Sequence, residues 1–90
     1  MLEREIAVIN PLGLHARAAA KLVRLANTFE STIQLRREDK GLEADAKSIL
    51  NVLYIAASQG VSLIVTTDGP DEEQAMRSIE ELFAAGFGEI

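Results

Sequence analysis

The chain has no cysteine and no tryptophan, and it carries a single histidine. Without cysteine, disulfides, thiol catalysis and thiolate zinc sites are excluded. One histidine leaves no basis for a histidine-rich metal site, so neither a metal nor a cofactor is expected. No run approaches the ~18 consecutive apolar residues of a membrane-spanning helix. Met1 leads into Leu2-Glu3-Arg4-Glu5 without a basic start and apolar run, so no signal peptide is expected and the expected compartment is the cytoplasm. Positive charge is in deficit, with 9 Lys+Arg against 14 Asp+Glu and a net charge of −5. That balance argues against a general nucleic-acid partner, and nothing suggests direct membrane insertion. A P-loop, a nucleotide-binding glycine loop and a nucleophile elbow are all missing from the sequence. What remains is 90 residues, 48% hydrophobic and 26% charged, the size and composition of one globular domain over residues 1–90.

Leu2 to Ile9 reads as a strand, with Ile6 and Val8 on one face and Glu5 and Ala7 on the other. Asn10-Pro11-Leu12-Gly13 breaks it. From His15 or Ala16 to about Asn27 the pattern is helical, with Ala19, Leu22, Val23 and Ala26 toward a core. Thr32 to Arg36 alternates as a second strand, and a polar turn leads to a short third strand near Leu42 to Ala44. Ser48 is a suitable N-cap for a helix from Ile49 to Ser58, stopped by Gly60. Val61 to Thr67 is a β-branched strand. Asp68-Gly69-Pro70-Asp71-Glu72-Glu73 starts a last helix with the buried stripe Ala75, Ile79, Leu82 and Phe83, ended by Gly86. The order β-α-β-β-α-β-α predicts an α+β fold with one antiparallel sheet covered on one side.

Two stretches stand out chemically. A lone histidine is most often a loop or capping residue. His15, however, lies between a glycine-containing loop and a helix start, where free amides and the positive dipole end favour an anion. Arg17 adds a donor fork suited to phosphate oxygens. Lys21 and Arg24 follow at i+4 and i+7, giving three cations on one helix face, a pattern equally expected of a solvated surface. Together these residues form a plausible phosphohistidine site. The second stretch, Ser48 to Ala57, is apolar nearly all round. Periodicity leaves two readings: a deeply buried helix, or a docking patch exposing Ile49, Leu50 and Tyr54. The acidic pairs Glu72-Glu73 and Glu80-Glu81 read as a solvated face.

Asn10-Pro11-Leu12-Gly13-Leu14-His15-Ala16-Arg17-Ala18-Ala19-Ala20 resembles the active-site segment of the HPr phosphocarriers of the bacterial phosphotransferase system. Ala46-Lys47-Ser48-Ile49-Leu50 resembles the family's second signature, around a regulatory serine, and the likeness covers essentially the whole chain. It implies an open-faced β-sandwich: a four-stranded antiparallel sheet with three helices on one face. It further implies that His15 is phosphorylated on Nδ1 by phospho-enzyme I and passes the group to a histidine of an EIIA-type acceptor domain, with Arg17 neutralising the phosphate oxygens. Docking would involve Ala16, Ala20, Lys21, Arg24, Ile49, Leu50 and Asn51, and Ser48 would be the target of an HPr serine kinase/phosphorylase. Ala18 stands where many sugar-branch members have proline, and with the Leu82 to Glu89 tail it looks closer to the nitrogen-type paralogue. The implied activity is that of a stoichiometric carrier rather than an enzyme. The rival readings are a regulatory binding module of the same fold that carries no phosphate, and a small hydrolase.

Overall fold

Alternation decides the layers. In β2 (Thr32–Arg37), Ile33 and Leu35 are buried while Thr32 and Gln34 are exposed. β2 pairs antiparallel with β4 (Ser62–Asp68), opposing Ile33 to Thr67 and Leu35 to Val65. β4 also pairs with β1 (Leu2–Ala7), and β2 with β3 (Leu42–Asp45), giving the antiparallel order β1-β4-β2-β3. Cross-strand partners share a face, so Leu63, Val65, Ile33, Leu35 and Ala44 form one apolar surface. Glu3, Glu5, Gln34, Arg36 and Glu43 lie on the other, which faces solvent.

Among the described residues, three helices cover the apolar surface: α1 (Ala16–Ala26), α2 (Ile49–Ile55) and α3 (Glu72–Ala84), followed by a 3-10 turn at Gly86–Gly88. The predicted α+β, open-faced arrangement is the one observed. The computed structural model describes residues 1–89. One core cluster joins Val8, Leu14, Leu22, Val52, Ile55, Ile79, Phe83 and Phe87 to the sheet. In α1, Ala19, Leu22 and Ala26 are buried as predicted, together with Ala18, and Val23 packs at the margin.

Several boundaries differ from the sequence reading. β1 ends at Ala7 rather than Ile9, although the Val8 amide still donates to the Val61 carbonyl at 2.9 Å. α2 stops at Ile55, short of Ser58, because Ala56 turns left-handed at φ 51°. The cause is Arg37, whose Nη1 donates to the Ile55 and Ala56 carbonyls at 3.0 and 2.9 Å while Asp39 steadies the guanidinium. Helix-end carbonyls need donors, and a fork from β2 supplies them before Gly60 is reached. Deep burial of α2 is also corrected: Leu50 and Tyr54 are 75% and 70% exposed and Ile49 37%, while Val52 and Ile55 face the core. Glu72 likewise leaves the solvated face, accepting from the Gly69 amide at 3.1 Å.

Asp71 precedes α3 but does not cap it. Its carboxylate accepts from the Ser31 hydroxyl at 2.5 Å and from the Glu30 and Ser31 amides at 2.9 Å each, tying α3 to the entrance of β2. The Ser31 hydroxyl, with the Glu30 amide next, holds the Asp71 carboxyl below its ordinary value. The Arg37 side chain does the same for Asp39, and the Met1 amine for Glu72. A carboxyl whose folded-state value is depressed adds stability above its unfolded value and loses it as pH falls through the folded one. The melting temperature should therefore hold down to about pH 4.5 and fall below it, near the ordinary carboxylate range. Asp71→Asn should lower the plateau and flatten that fall. An unchanged acid slope in Asp71→Asn would show that Asp71 is no part of it.

Candidate functional site

The segment between β1 and α1 fits against the α2–β4 connection. Gly13 takes φ +65°, and the Leu14 amide donates to the Ala57 carbonyl at 2.8 Å. This contact sets the start of α1. His15 occupies the N-cap position with extended backbone, and its carbonyl accepts from the Ala19 amide at 2.8 Å. Its side chain makes no cap hydrogen bond, so the ring is free for another partner. Helix geometry leaves the first amides of α1 without intrahelical acceptors, beside that ring.

The partner comes from the other end of the chain. The 3-10 turn after α3 brings Glu89 across α1, and its Oε2 stands 2.5 Å from His15 Nε2. Arg17 Nε donates to the same oxygen at 3.3 Å, and Asn10 Nδ2 donates to Oε1 at 2.8 Å. The Asn10 amide also donates to the Gly13 carbonyl at 2.8 Å, so the loop that starts α1 and the carboxylate share one fully buried anchor. The Glu89 side chain is 9% exposed and the His15 ring 25%. Donation by Asn10 first, then by His15 and Arg17, holds the Glu89 carboxyl below its ordinary value.

An ionised carboxylate only accepts hydrogen bonds. His15 Nε2 must therefore donate, and the neutral ring then carries its lone pair on Nδ1. A carboxylate that sets imidazole tautomer and orientation is the arrangement that makes the opposite ring nitrogen a nucleophile or base. Arg17 has its Nε on Glu89, and its terminal nitrogens make no hydrogen bond among the described residues. Those two groups can meet an anion arriving at the helix start.

The structure brings His15 and Arg17 to one Glu89 carboxylate oxygen. The row of three cations is not a free stripe. Lys21 is half-buried and donates to the Phe87 carbonyl at 2.6 Å, while Arg24 is exposed with no ion pair among the described residues. Ala16 is exposed and Ala20 half-buried on the same helix. Ser48 caps α2, its Oγ accepting from the Asn51 amide at 3.4 Å and from Asn51 Nδ2 at 3.1 Å. Ile49, Leu50 and Asn51 follow it on the surface, and α2 packs against α1. Two residues of the site are not singled out by the sequence: Asn10 reads there only as part of the strand breaker, and Glu89 only as part of the tail. The signal for Glu89 is the Gly86-Phe87-Gly88 turn, which allows the chain to fold back after α3.

A family model described as "PTS HPr component phosphorylation site" matches residues 2–85. The chain is 48% identical over 89 residues to the phosphocarrier protein HPr of Cupriavidus necator, covering 99% of this chain and 98% of that one. It is 43% identical over 86 residues to the phosphocarrier protein NPr of Proteus mirabilis, covering 96% and 94%. The crystal structure of HPr-C-His from Thermoanaerobacter tengcongensis superposes with a TM-score of 0.94 at 36% identity, over 100% of this chain and 99% of that one. The loop, the helix start and the fold around them are thus those of known phosphocarriers, and the chain belongs to the HPr family of the phosphotransferase system.

Proposed function

We propose that His15 accepts a phosphoryl group on Nδ1 from phospho-enzyme I and donates it to a histidine of an EIIA-type acceptor domain. The observation that carries this reading is the Glu89 carboxylate on Nε2, which leaves Nδ1 as the ring's lone-pair nitrogen. In the transfer, the Nδ1–P bond forms as the donor's bond to phosphorus breaks. The positive charge gained by the ring is shared through Nε2–H with Glu89. Phosphoryl transfer depends on positioning and charge neutralisation more than on covalent assistance. Arg17 and the first amides of α1 supply the neutralisation, and the partly exposed ring lets a second protein reach the same nitrogen. In the second step Nδ1 is the leaving group and the bonds exchange in reverse. The domain acts as a stoichiometric carrier in the cytoplasm. Incubation with enzyme I and phosphoenolpyruvate should add one acid-labile phosphate per chain. A protein that remains unmodified while it still binds enzyme I would favour the binding-module reading.

The exposed surface of Ile49, Leu50 and Asn51 beside Ala16, Ala20, Lys21 and Arg24 is the proposed docking face, where apolar contact meets positive charge. Ser48 borders it, and phosphorylation there by an HPr serine kinase/phosphorylase would place a doubly charged group where an apolar partner must dock. Ser48→Asp should weaken enzyme I-dependent phosphorylation and leave the fold intact. Ser48→Ala should keep transfer near normal and cost about 1 kcal/mol from the lost cap. Normal transfer in a folded Ser48→Asp variant would remove Ser48 from the docking surface.

A further inference from the structure

Lys21 lies one helical turn after Arg17, on the same face of α1. Its ammonium reaches away from solvent to the Phe87 carbonyl, at 2.6 Å. The turn it grips is unusual. Phe87 sits in the left-handed region at φ 56°, ψ 24°, a conformation that a bulky side chain keeps only when its surroundings over-determine it. On the inner side, the buried Phe87 ring stands edge-on to Phe83, with centroids 4.9 Å apart. On the outer side, the Phe87 carbonyl is held by Lys21. Within the turn, the Gly88 amide donates to Ala85 and the Glu89 amide to Gly86, both at 3.0 Å. Glu89 follows directly and meets His15 and Arg17.

We infer that Lys21 is a positioning residue for His15: by holding the Phe87 carbonyl it fixes the 86–89 turn and so keeps the Glu89 carboxylate on Nε2. The role is separate from any part Lys21 plays in meeting a partner, because it operates within the isolated chain. Its consequence for transfer rests on the function proposed above, whereas its effect on the ring does not.

The test is long-range proton–nitrogen NMR of the His15 ring in the isolated protein, at a pH where the ring is neutral. Lys21→Met keeps the alkyl stem and removes the ammonium. It should lower the ratio of Nε2–H to Nδ1–H tautomer about threefold or more, the scale of coupling between groups in one network. The ratio should move toward that of Glu89→Ala, with amide shifts concentrated at residues 86–89. In a Glu89→Ala background, Lys21→Met should change the ratio no further. Arg24→Met removes a cation on the next turn of the helix and should leave the ratio at its wild-type value. No phosphoryl donor is present, so the ratio is read whether or not His15 is the residue that accepts phosphate in the transfer. A wild-type ratio in folded Lys21→Met overturns the inference. So does an undiminished Lys21→Met effect without Glu89, or an equal effect of Arg24→Met.

Discussion

His15→Ala should abolish phosphoryl acceptance in a protein that still folds. The ring is partly exposed, makes no cap hydrogen bond, and has the Glu89 carboxylate as its hydrogen-bonding partner. Its backbone, at φ −74° and ψ 178°, is one that alanine adopts freely. The substitution leaves Glu89 with Asn10 and Arg17 as donors. Loss of stability should stay under about 1 kcal/mol, as for surface positions without a special structural role. No other histidine is present in the chain to take over. Phosphate transfer from enzyme I should fall below detection, with an amide spectrum that changes around residues 10–17 and 86–89. Acid-labile phosphate retained by His15→Ala would place the acceptor elsewhere.

Gly13→Ala should produce the largest loss of stability at any position touching the site. A Cβ on Gly13 meets the Ala57 carbonyl oxygen at 2.4 Å and Ser58 Cα at 2.8 Å, both backbone atoms, with φ at +65°. Two costs add. A left-handed conformation costs an L-residue about 1–2 kcal/mol, and forcing atoms into a packed space costs about 1–3 kcal/mol. The sum, about 2–5 kcal/mol, corresponds to a drop of roughly 10 to 25 °C in melting temperature for a domain of this size. The colliding carbonyl is the acceptor for the Leu14 amide, so relief of the clash moves the start of α1 and His15 with it. Gly41 provides the control, because it has the same φ of +65° and, among the described residues, nothing within 4 Å of its Cβ position. Gly41→Ala should show the conformational cost alone and leave transfer unchanged. Equal melting temperatures for the two variants would show that the loop at residue 13 yields without cost.

Fold and site were not equally legible in the sequence, and particular contacts explain the difference. The alternation of Thr32 to Arg36 and the stripe Ala75, Ile79, Leu82 and Phe83 are local signals of burial that place strand and helix, with Leu82 only partly buried at the margin of the core. The end of α2 is not local. Ala56-Ala57-Ser58 contains nothing that stops a helix, and the stop comes from Arg37, which lies 18 and 19 residues before the carbonyls it holds. The exposure of Leu50 and Tyr54 was ambiguous because apolar composition does not tell a buried face from an unpartnered one. At the site, His15 and Arg17 share one short motif on one helix start, so they could be read together. Glu89 lies 74 residues from His15, and Asn10 joins it only through a side-chain amide that also binds the loop. Lys21 looked like a surface cation because its acceptor is a backbone carbonyl 66 residues away.

With Glu89 on Nε2 of His15, Nδ1 is the ring nitrogen left to carry the phosphoryl group. The direct measurement is phosphorus and long-range nitrogen NMR of the protein after reaction with enzyme I and phosphoenolpyruvate, which separates the two ring positions of a phosphohistidine. The predicted result is a single phosphate on Nδ1 of His15, with Nε2 still protonated toward Glu89. Phosphate on Nε2, or on any other residue, would contradict it.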